Sequence, residues 1–121
     1  MNVEFVTFDS MSEHELWRIA DEMMDNLMSG STAINHAMHT RDFTPRLLEI
    51  VTPTYLTQVC QRYQQEQGYF AQRERIAMFK RPASAAFIWK QYFTLQSGEF
   101  VAEMVIVNHN GKFLVDHVMV F

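Results

Sequence analysis

Residues 100–121 read FVAEMVIVNHNGKFLVDHVMVF, two alternating apolar segments meeting at Asn108-His109-Asn110-Gly111. Asn-Gly is the strongest short hairpin signal, because both central positions of a type I′ turn need positive φ. A hairpin closed on Asn110-Gly111 pairs Met104 with His117, Ile106 with Val115 and Asn108 with Phe113. One segment earlier, residues 87–95 alternate in the same way and lead into Gln96-Ser97-Gly98-Glu99. A second hairpin closed on Ser97-Gly98 pairs Leu95 with Phe100, Phe93 with Ala102, Gln91 with Met104 and Trp89 with Ile106.

These registers assign side chains to faces, since successive residues of a strand point to opposite sides. One face carries Phe87, Trp89, Gln91, Phe93, Leu95, Phe100, Ala102, Met104, Ile106, Phe113, Val115, His117 and Met119. It is aromatic enough to require a covering layer. The other carries Ile88, Lys90, Tyr92, Thr94, Val101, Glu103, Val105, Val107, Leu114, Asp116, Val118 and Val120. About half of that face is apolar, more than a solvated face needs.

The covering layer is written in the first half of the chain. Ser12 followed by Glu15 is a capping-box pattern, and Leu16, Ile19, Ala20, Met23, Met24 and Leu27 recur at helical spacing up to an expected stop at Gly30. A short helix is expected across Thr32 to Met38. Thr44-Pro45 and Thr52-Pro53 each place a capping hydroxyl before a proline at the first helical position. The helix from Pro53 runs through Leu56, Val59, Cys60 and Tyr63 to a Gly68 stop. From Ala71 to Phe121 the pattern is strand, first broken at Arg81-Pro82. Helices followed by antiparallel strands make an α+β class, with the helices on the aromatic face. The whole chain reads as one domain, residues 1–9 being an arm or short strand.

Composition limits the function classes. The 121 residues are 48% apolar and 20% charged, enough for one real core. With a net charge of −4 and ten Lys and Arg scattered along the chain, no basic stripe suits nucleic acid. Cys60 is the only cysteine, which excludes an internal disulfide and suits a reducing compartment. There is no basic start followed by an apolar run and no apolar stretch of about 20 residues, so no signal peptide or membrane span is expected and the protein reads as cytoplasmic.

Several features together resemble the nuclear transport factor 2-like superfamily, and more narrowly its small members of unknown function. They are the long first helix with Gly30, Arg41-Asp42-Phe43 leading into Leu47-Leu48-Glu49-Ile50-Val51-Thr52-Pro53, the helix closing on Gly68-Tyr69-Phe70, and the final Gly111-Lys112-Phe113-Leu114-Val115. The resemblance spans about residues 10–121. It implies a cystatin-like α+β cone, a curved sheet wrapped about the helices around a pocket, often dimeric through the sheet's outer face. Superfamily enzymes such as ketosteroid isomerase, scytalone dehydratase and polyketide cyclases use Asp, His and Tyr inside the cone. This core face supplies one His and no carboxylate.

Gln91 and His117 are the polar side chains on the expected core face, beside Met104 and near Trp89. They either bond to the helix layer or line a cavity. In the second case His117 is the candidate proton-transfer residue, Gln91, Trp89 and Met104 line the ligand site, and Tyr55 and Tyr63 shape it from the helix side. Three functions stay open: a domain binding a small apolar or amphipathic molecule in the cone, a small lyase, isomerase or hydrolase using His117, and an interaction module working through the sheet. His36 and His39 share a helix face, but without a third ligand no metal site is expected and they read as a solvated or pocket-rim histidine pair; no cofactor motif is present. Cys60 reads as a buried, inert thiol. The outer face, through Ile88, Val105, Val107, Leu114 and Val118, is the expected interface of a homodimer.

Overall fold

The computed structural model describes residues 7–121, so most of the expected arm lies outside the described residues. From Thr7 on, Phe8–Ser10 forms a single 3₁₀ turn that buries Phe8. Four helices follow, α1 (Glu13–Thr32), α2 (His36–His39), α3 (Pro45–Ile50) and α4 (Pro53–Glu66), then strands β1 (Phe70–Lys80), β2 (Ser84–Phe93), β3 (Phe100–His109) and β4 (Lys112–Val120). The strands form an antiparallel meander in the order β1-β2-β3-β4, with the helices packed against one face. This is the α+β class read from the sequence.

The caps act as their residue types require. Ser12, Thr44 and Thr52 each accept from the amide three residues on, leaving one fewer unpaired donor at each helix start. Pro45 and Pro53 begin α3 and α4, and Gly68 ends the last helix at φ 87°. Gly30 does not stop α1, which continues to Thr32. A β-carbon there would lie 2.5 Å from the backbone nitrogen of His39, so this glycine admits α2 directly onto α1. The second helix is correspondingly shorter than expected and starts after Asn35, whose side chain caps it.

The Asn110-Gly111 turn has both residues at positive φ and pairs Asn108 with Phe113, as the dipeptide requires. The other hairpin differs. Gln91 pairs with Phe100, Trp89 with Ala102 and Phe87 with Met104, leaving Thr94–Glu99 as a six-residue loop. The amides of Leu95 and Gln96 donate to the Gln67 carbonyl, and that of Thr94 to Tyr69, so the residues expected to extend the hairpin are bonded to the α4–β1 connection. The shift is even, and the faces of β2 and β3 stay as expected.

β4 is where the faces change. A bulge at Asp116 separates the pairs Ile106–Val115 and Val105–His117, and beyond it Met104 pairs with Val118 and Ala102 with Val120. Val118 and Val120 therefore pack against the core, while His117 and Met119 turn outward. The cause is tertiary: Thr44 Oγ1 donates to Asp116 Oδ1 at 2.8 Å, Arg46 Nε donates to the same oxygen at 3.1 Å, and the Arg46 guanidinium also bonds the Asp116 carbonyl. A bridge between Phe43 and Val115 lays the start of α3 alongside the strand at this point.

Candidate functional site

The sequence places Gln91, Trp89, Met104 and His117 at one site, and the structure separates them. His117 is on the outer face, its side chain 40% exposed and its Nε2 2.9 Å from Glu103 Oε1. The extra residue at Asp116 inverted the alternation behind the core assignment. Gln91 is fully buried in solid packing, its amide nitrogen donating to the carbonyls of Ala71, Gln72 and Tyr92. It satisfies the bulge of β1 between Phe70 and Arg73, and its Oε1 has no hydrogen-bond partner among the described residues. Trp89 is buried between Trp17 and Phe87, its indole nitrogen donating to Asp21 Oδ1 at 2.9 Å. Met104 is fully buried. None of these four is among the residues that line the cavity between the end of α1, α4 and the sheet.

The cavity lies further along the layer, at the C-terminal end of α1, and measures about 240 Å³. Its walls are Leu27 from α1, Val51, Leu56 and Val59 from the α3–α4 region, and Phe70, Phe93, Val118 and Val120 from the sheet. Tyr55 and Tyr63 do line it, the first half exposed and the second partly buried. The bulge contributes directly, because it turns two short valines toward the helices and His117 away, with Met119 also on the cavity's border.

The cavity's polar groups come from three helices and from Gln67, the residue that follows α4. Ser31 Oγ lies 2.7 Å from Tyr63 Oη and 3.2 Å from Cys60 Sγ. Ser31 sits one turn after Leu27, and Cys60 and Tyr63 lie three apart on α4, so the cluster forms where two amphipathic faces meet. Burial pushes the Cys60 thiol and the Tyr63 hydroxyl upward from their ordinary values, outweighing their hydrogen bonds, and both stay protonated. His39 borders the same cavity, its Nδ1 2.9 Å from the Leu27 carbonyl. A carbonyl only accepts, so Nδ1 carries the proton. Burial depresses the His39 pKa, the bond to Leu27 raises it, and the neighbouring His36 lowers it further, leaving a net downward shift.

His36, expected to share a face with His39, donates from Nε2 to the Val51 carbonyl at 2.7 Å. No group of three metal-ligating side chains exists among the described residues. The sequence reading puts the ligand site under Trp89 and His39 only at a pocket rim, and it does not single out Ser31. The available signal was a Ser, a Cys and a Tyr on helical stripes otherwise filled with Leu, Met and Val.

No protein-family model matches the chain, and no curated protein matches it in sequence. Among solved structures it is similar to the solution structure of a SEC-C motif containing protein from Rhodopseudomonas palustris, with 8% identity, a TM-score of 0.58, and coverage of 80% of this chain and 74% of that one. It is also similar to the crystal structure of a DUF4783 family protein from Bacteroides ovatus, with 11% identity, a TM-score of 0.48, and coverage of 78% and 90%. The first likeness is one of fold. No helix among the described residues is long and apolar enough to cross a membrane.

Proposed function

We propose that this protein binds a small amphipathic molecule in the cavity between the end of α1, α4 and the sheet. The observation that carries the reading is a mostly apolar space of about 240 Å³ with a few polar groups gathered on its helix side, the usual construction of a ligand site. A pocket enclosed by helices and sheet is also what the nuclear transport factor 2-like resemblance implies. His117 takes no part, because its ring lies on the opposite side of the sheet. The test is ligand-observed NMR with small aromatic probes against the full chain and against Val59→Phe, which fills the space from α4. Saturable binding to the wild type, lost in the variant, supports the reading; equal binding to both overturns it.

A second reading concerns the outer face, which we propose pairs with a second copy of the chain. The corrected face keeps Ile88, Val105 and Val107, carries Leu114 already buried within the chain, loses Val118 to the core, and gains Met119, beside the exposed Phe79 and Phe121. Such an apolar surface, interrupted by Lys90 and by the Glu103–His117 pair, suits an isologous contact. Sedimentation should show a dimer at micromolar concentration and a monomer for Val107→Arg.

A further inference from the structure

We infer that the cavity's ligand is a neutral alcohol or phenol: an apolar body with one hydroxyl that donates to Nε2 of His39, beside the Ser31, Tyr63 and Cys60 cluster. This rests on the binding role proposed above and specifies its chemistry.

The charge follows from what is missing in the lining. Among the described residues that border the cavity there is no Asp, Glu, Lys or Arg. An ion entering would give up its hydration with no counter-charge in return, which excludes carboxylates and ammonium groups in favour of neutral molecules.

The hydrogen-bonding character follows from proton counting. Nδ1 of His39 spends its proton on the Leu27 carbonyl, so in the neutral ring Nε2 is an acceptor, and no described residue donates to it. Burial keeps the ring neutral. The Ser31 and Tyr63 hydroxyls and the Cys60 thiol bond to one another, and Tyr63 is also hydrogen-bonded to Thr32 and Gln64, so the protons of this cluster are taken up within the protein. The unmet demand is that of Nε2, an acceptor without a donor. A hydroxyl is the smallest neutral group that supplies it a proton. A ketone, an ether or a hydrocarbon supplies none.

The size is bounded in the same way. An apolar protein cavity of about 150 Å³ holds benzene. At about 240 Å³ this one admits a single ring with small substituents, or an alcohol of similar bulk.

The experiment uses the unmodified chain and five probes on one skeleton: 4-methylphenol, 4-methylanisole, toluene, 4-methylbenzoate and 4-methylbenzylamine, titrated while following the side-chain resonances of Tyr63, Val118 and Val120. The phenol should bind roughly ten-fold more tightly than toluene or the methyl ether, the scale of one added buried hydrogen bond. The two ions should not perturb these resonances. If the methyl ether matches the phenol, donation to His39 is overturned; if toluene matches it, the polar anchor is overturned and the cavity's binding role stands. Tighter binding by either ion overturns the charge argument alone. If none of the five perturbs the three residues, both this inference and the binding role fall.

Discussion

The two ends of the helix–sheet layer share one helix and one sheet face, yet one is solid and the other hollow. Near the start of α1, Trp17 meets Phe87 and Trp89 at centroid distances of 5.3 and 5.5 Å, and the guanidiniums of Arg73 and Arg75 lie over the Trp89 and Trp17 rings while pairing with Asp21. Near its end, Leu27 and Ser31 face the valines of β4 across the cavity. The first end is filled by large rings whose polar edges are bonded to α1; the second receives short branched side chains because the bulge at Asp116 turned them inward. Hollowness here arises from register, not from a shortage of apolar residues.

The largest effect should come from the solid end. Trp89→Ala removes a fully buried indole with its bond to Asp21 and should cost about 3–5 kcal/mol in denaturant unfolding. A cost near that of a surface substitution would mean that the ring is not central to the core. Next, the two ends should respond in opposite ways to added volume. Ala20→Leu, in a helix position with no exposed surface, should destabilise by about 1–3 kcal/mol, whereas Val59→Leu, beside the cavity, should cost less than about 1 kcal/mol. Equal costs would erase the contrast.

A smaller effect should appear with pH. The folded-state pKa of His39 lies below its ordinary 6.5, so the unfolded chain binds the proton first. Stability from the neutral ring is complete above about 6.5 and is lost as pH falls from there through the depressed folded value. Urea midpoints at pH 7 and pH 5 should therefore differ more in the wild type than in His39→Phe. The least effect should come from His117→Ala, which removes a partly exposed pair with Glu103 and should change stability by less than about 1 kcal/mol. A loss of several kcal/mol would return His117 to the core.

What was legible in the sequence is what neighbouring residues decide among themselves. Thr44-Pro45 and Thr52-Pro53 announce helix starts, and Asn110-Gly111 needs only its own two φ angles. The alternation of β2 and β3 correctly assigned Phe87, Trp89, Met104 and Ile106 to the core, because no bulge intervenes within them. The failures are decided at a distance. Asp116 is held by Thr44 and Arg46, 72 and 70 residues away, and nothing local marks it as an extra residue. Gly30 carries the same letter whether it ends a helix or admits another backbone. The Ser31, Cys60 and Tyr63 cluster spans 29 and 32 residues and exists only once α1 and α4 are packed. The candidate site was thus half legible, in Tyr55 and Tyr63, while its anchors depended on packing.

The Asp116 bulge also bears on how such a domain can change over time. Without the bulge, the same residues would alternate uninterrupted along β4, the imidazole and the thioether would enter the interior together and both valines would leave it. A change that releases Asp116 from Thr44 and Arg46 can therefore exchange the chemistry of an entire wall in one event, without altering any residue of that wall. In this architecture, the accommodation of one surplus residue is a heritable setting for what the interior presents.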